Sequence, residues 1–114
     1  MANPIAEFGV GNTVTDGATQ TFDCSTGSHF QWTLGANRTM STPTNAINGQ
    51  TIWLAVVQDS TGSRTVTWPS NWTWPGGTAP TLTTTAAKLD LFFAKYDGIN
   101  SKWRANTVGL NYTA

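Results

Sequence analysis

The sequence predicts an all-β domain, a sandwich or a barrel, on three observations. Short segments of alternating or continuously apolar residues recur about every 8 to 15 positions, as in β-sandwiches and barrels. Glycine, asparagine and proline punctuate them. No long stretch shows the 3.6-residue periodicity of a helix; residues 85–89 make one turn at most.

In chain order, residues 19–24 alternate, with Phe22 and Cys24 on one face and Thr21 and Asp23 on the other. Residues 29–34 alternate more cleanly: Phe30, Trp32 and Leu34 against His29, Gln31 and Thr33. Residues 35–37 turn the chain into a short strand over 38–42, ended by Pro43. Residues 51–59 (TIWLAVVQD) are apolar on both faces, as expected of a central strand covered on two sides. Residues 59–63 read as a hairpin loop with 64–68 returning. Residues 89–96 are again apolar on both faces apart from Asp90 and Lys95. Asp97-Gly98 opens the next hairpin turn, and 103–108 come back. Residues 1–17 differ: Gly9, Gly11, Asn12 and Gly17 among isolated Ile5, Phe8 and Val10 read as an extended arm lying on a surface, its own or a neighbour's. The expected organisation is an arm over 1–17 and one β domain over 18–114.

Only 11% of the 114 residues are charged, against roughly 25% in ordinary soluble domains. Six acids balance six bases, scattered singly. That gives no electrostatic footprint for nucleic acid and no basic amphipathic segment for a membrane. The N-terminal residues lack the basic and apolar regions of a secretory signal, so synthesis in the producer's cytoplasm is expected. One cysteine, Cys24, excludes an intrachain disulfide or a multi-cysteine metal site.

Catalytic chemistry has little to work with. The one histidine, His29, falls on the polar face of a strand, with no nucleophile, base and orienter set around it. Cys24 has no neighbouring cation to activate it and reads as a small core residue. Glu7, Asp16, Asp23, Asp59, Asp90 and Asp97 are the acids available to a glycosidase pair. Asp59 and Asp97 stand where strands enter turns and are expected to cap their own loops; Asp90 is expected to pair with a cation such as Arg64. Residues 97–100 offer too few oxygens for calcium. No cofactor or metal is expected. The sequons at Asn37, Asn71 and Asn111 arise readily in a chain rich in Asn and Thr and carry little meaning without a secretory signal.

The aromatics remain. Trp32 and Trp53 sit on strands among apolar neighbours and are expected in the core; Trp103 is expected to cap one end of the domain. Trp68, Trp72 and Trp74 lie in RTVTWPSNWTWPGGTAP (64–80), where Pro69, Pro75 and Pro80 forbid a helix. Such a loop either closes the core or contacts something: a sister subunit, or a sugar platform completed by Asn71.

The stretch 35–108 resembles a module of bacteriophage and prophage virion proteins found at tail-fibre tips, in receptor-binding proteins and on capsid surfaces. The matching residues are GANRT (35–39), GQTIWLAVVQD (49–59), GSRTVTWP (62–69), WPGGTAP (74–80), TTTA (83–86) and LDLFFAKYDG (89–98). The resemblance implies an antiparallel β-sandwich of jelly-roll-like kind, frequently a homotrimer, with a structural or adhesive role and no catalysis. Fibre-tip members end long polypeptides with their own anchor, whereas this chain starts at Met1 with a short arm. The expectation is therefore a capsid decoration, head-spike or small tail accessory subunit on the virion surface. Pro4, Ile5, Phe8 and Val10 would attach it to the major capsid or tail proteins. The alternative is a host-adhesion module of a tail fibre that recognises surface glycan.

Overall fold

The computed structural model describes residues 11–114. Among these residues nine strands form two sheets. The larger has the order β1 (Gly11–Thr13), β3 (His29–Leu34), β5 (Thr51–Gln58), β8 (Lys88–Asp97), β9 (Lys102–Thr113), β7 (Trp72–Thr73). The smaller has β2 (Thr19–Gln20), β4 (Arg38–Met40) and β6 (Val66–Thr67). A single 3-10 turn, Pro75–Gly77, is the only helical piece among the described residues.

The all-β class stands, but the pairing is mixed. Strands β1, β3 and β5 run parallel, as do β2, β4 and β6. From β1 to β6 the chain visits the two sheets alternately, each turn laying one strand on each sheet beside its predecessor. Parallel neighbours need long crossovers, and in this part each crossover passes through the opposite sheet; β7, β8 and β9 all stay in the larger sheet, where β7 pairs in parallel with β9. Antiparallel pairing is confined to β5–β8 and the β8–β9 hairpin. The hairpin expected at residues 59–63 is therefore corrected: β6 pairs with β4 instead. Side chains divert the chain there. Gln58 Oε1 accepts the Arg64 N–H at 3.0 Å, and Gln58 Nε2 donates to the Arg64 carbonyl at 2.9 Å. Those are the backbone groups that a returning strand would have offered to the ladder. Asp59 then caps the loop as expected, accepting the Thr61 and Gly62 N–H groups and pairing with Arg64 at 3.0 Å.

The core lies between the sheets. Phe30, Trp32 and Leu34 of β3 face inward with Ile52, Leu54 and Val56 of β5, Phe92 and Ala94 of β8, and Trp103 and Ala105 of β9. Met40 and Val66 of the smaller sheet, with Phe22 and Cys24, cover them. Phe22 meets Phe30 at 5.1 Å and sets its edge to Trp32 at 5.5 Å, the tilted geometries aromatic quadrupoles favour.

Part of the predicted arm belongs to this domain. Gly11–Thr13 adds to the β3 edge, the Val14 N–H donates to the Gln31 carbonyl, and Val14 packs on the core. Asp16 ties the arm down: it accepts from Trp32 Nε1 at 2.9 Å, from the Gly35 N–H at 2.9 Å and from the Arg38 guanidinium. The remainder of the arm, with Pro4, Ile5, Phe8 and Val10, lies outside the described residues.

The Asp16 cluster gives the fold a dependence on pH. Burial raises the Asp16 carboxyl, but hydrogen bonds from Arg38, Trp32 and Gly35 outweigh it and hold the pKa below the ordinary aspartate value. A lowered folded-state pKa stabilises above the unfolded-state value of about 3.9 and loses that contribution as pH falls through the folded value. The wild type is therefore expected to lose more melting temperature than Asp16→Asn between about pH 5 and pH 2. Calorimetry of both proteins across that range checks it.

Candidate functional site

Local sequence explains the shape of the tryptophan loop. Pro69 and Pro75 bracket a two-residue strand, and Gly76 at φ 73 and Gly77 at φ 79 take left-handed conformations that side chains disfavour. Trp72 and Thr73 pair in parallel with Trp103 and Arg104, which pins the loop to the end of β9. Asn71 accepts the Trp103 N–H on its carbonyl at 2.9 Å and the Thr42 hydroxyl on its side chain at 2.9 Å.

The rings turn inward. Trp72 is 4% exposed, stacked on Trp68 at 5.5 Å with an interplanar angle of 11° and in contact with Trp103. Trp68 and Trp74 set their edges to Phe92 at 5.2 and 5.9 Å and stay half-buried. Trp103, fully buried, also packs on Tyr96 at 5.0 Å. The loop thus closes the end of the core, as expected of Trp103. Trp68, Trp74 and Asn71 keep part of their surface open to solvent. The Trp72 and Trp103 Nε1 donors are buried with no acceptor among the described residues, a sign that both indoles are held by packing.

The acids among the described residues are occupied locally; Glu7 lies outside them. Asp97 accepts from Asn100 and pairs with Arg104 at 2.9 Å. Asp23 accepts from Ser25 and Asn45. Asp90 corrects the expectation of an Arg64 partner, since Arg64 belongs to Asp59. Its buried carboxylate takes the Thr83 N–H at 2.7 Å and the Asn111 N–H at 2.9 Å, tying a loop and the end of β9 to β8. Cys24 is buried, and desolvation with the adjacent Asp23 charge pushes its thiol up to about 11, so the thiolate form is suppressed.

Trp53 corrects the sequence expectation more consequentially: it stands outside the core on the outer face of the larger sheet, 43% exposed. The strand registers build that face in rows. Gly11, His29, Trp53, Phe93 and Asn106 form one. Thr13, Gln31, Ala55, Leu91 and Gly109 form the next, and Thr33, Val57, Leu89 and Tyr112 the third. Trp53 and Phe93 meet at 5.9 Å. The Tyr112 ring lies against Gly109, where a Cβ would strike it. An apolar strip down the middle is thus framed by His29, Gln31, Thr33 and Asn106. The signal is present in the sequence: β5 and β8 are apolar on both faces, and only one face has a sheet to cover it.

The molecule is thus an all-β module of one mixed and one parallel sheet, closed at one end by indoles and displaying an apolar sheet face. A family model described as "Putative phage tail fibre C-terminal domain" matches residues 13–101, from β1 to the β8–β9 turn. The chain belongs to this family of phage virion modules. No curated protein and no solved structure matches it.

Proposed function

We propose that this chain is a non-enzymatic module on the surface of a phage particle. It would sit at the end of a tail fibre, act as a homotrimer and serve to hold surfaces together. The observation that carries this reading is the family match over most of the chain. The chemistry agrees with it: Asp16, Asp59 and Asp97 are each engaged by an arginine, and Cys24 is kept as a thiol by burial. The two sheets with their shared core are read as a sandwich-like scaffold. Synthesis would take place in the host cytoplasm, with tail proteins of the same virion and host surface glycan as partners. The family description favours the tail; the same module on a capsid, as a decoration or head-spike subunit, is the second reading.

Immunogold electron microscopy of intact particles tests the placement. Label at fibre ends, together with slower phage adsorption when host cells are preincubated with the purified protein, is the expected result. Label over the head overturns the tail assignment. Absence of label and of competition overturns the virion role.

A further inference from the structure

The outer face of the larger sheet leaves large apolar side chains open to water. On this face Trp53 and Tyr112 are 43% and 46% exposed, Leu89, Leu91 and Phe93 are half-buried, and Ala55 and Val57 between them are buried; Val108 and Leu110, also exposed, stand along β9 outside the three paired rows. The open parts of Trp53 and Tyr112 come to roughly 200 Å², and the half-buried side chains join them into one patch of the kind that often marks a contact. One side of a stable protein interface buries about 800 Å², a little over half of it apolar. The strip would form the apolar centre of such a patch, with His29, Gln31, Thr33 and Asn106 as its polar rim.

Its charge points to the occupant. The three rows around the strip contain no carboxylate and no Lys or Arg. Lys95 and Arg104 lie one row beyond, and Arg104 is engaged by Asp97. A second copy of such a face meets no like charge, and a strip three rows deep exceeds the footprint of one sugar ring. The neighbouring edge agrees. Beyond Arg104 no strand pairs with the far side of β9 among the described residues. Residues 105–113 contain neither a charge nor a proline, the features that protect edge strands from addition.

We propose that copies of this chain associate through this face, from Trp53 and Phe93 to Tyr112, with the open edge of β9 alongside. The proposal rests on the homo-oligomer reading above and gives it a location. Sedimentation equilibrium of the full chain tests it with Trp53→Thr, Tyr112→Ser and, as a control, Ile99→Ser. Ile99 is also exposed but lies in the β8–β9 turn. Near-UV circular dichroism monitors folding.

The expected result is an oligomeric wild type that Trp53→Thr or Tyr112→Ser weakens by roughly 30-fold or more, with Ile99→Ser unchanged. Amides of 105–113 should also gain exchange protection as protein concentration rises. A wild type that associates equally well with all three substitutions overturns this face and leaves the oligomer standing. A wild type that stays monomeric at high concentration overturns both. If Trp53→Thr does not fold, Tyr112→Ser near the chain end and the exchange data decide alone.

Discussion

Replacing Trp72 with alanine is expected to lower folding stability by about 3–5 kcal/mol, the range for deleting a buried large aromatic. Trp72 is stacked on Trp68, in contact with Trp74 and Trp103, and almost wholly buried. Its removal opens a cavity that rigid neighbours between Pro69 and Pro75 cannot collapse to fill. Trp72→Phe is expected to cost much less, because the lost Nε1 donor has no acceptor among the described residues and only packing changes. Trp32→Phe makes the contrast, since its Nε1 donates to Asp16 and the carboxylate loses a partner. Urea denaturation of the three variants checks the order. The same prediction bears on sugar binding at this loop: loss of binding in Trp72→Ala would report a damaged fold, so the test belongs to substitutions at Asn71 and at half-buried Trp74.

Asp90→Ala is expected to destabilise by about 2–4 kcal/mol, because it leaves the Thr83 and Asn111 N–H groups without their acceptor in a buried setting. Asp90→Asn keeps an amide oxygen for one of those donors and is expected to cost roughly half as much. Arg64→Ala is expected to leave the effect of Asp90→Ala unchanged, because Arg64 pairs with Asp59 and separated sites add. A double-mutant cycle by urea denaturation measures this. Coupling of Arg64 to Asp90 would contradict the geometry.

Much of the interior is legible in the order of the residues. Alternation in 29–34 places Phe30, Trp32 and Leu34 on the core side, and they are there. The Asp97-Gly98 turn joins β8 to β9 in antiparallel register, and Asp59 caps its own loop. Pairing direction is not legible, because a period of two tells which side chains share a face and says nothing of which neighbour the strand meets. Gln58 reads as the last residue of a strand; only its placement reveals that it captures Arg64 and sends the chain to the other sheet. Strand β9 runs to Thr113, past the expected end at 108, because Asp90 takes the Asn111 N–H and sustains the hairpin through a register shift. Trp53 departs from expectation for a related reason. Both faces of its strand are apolar, and sequence alone does not say which of two apolar faces a protein fills from within.

The alternating winding of the chain has a consequence for its biosynthesis. Paired strands from β1 to β6 lie 18 to 28 residues apart along the polypeptide (Gly11 to His29, Arg38 to Val66), a separation that slows folding through loop-closure entropy. Phe92, which both Trp68 and Trp74 abut, and Trp103, which seats Trp72, come late in the chain. A nascent chain emerging from the ribosome would therefore carry its indoles uncapped until the β8–β9 hairpin has emerged as well. Until then it is most prone to misassembly and most dependent on chaperones.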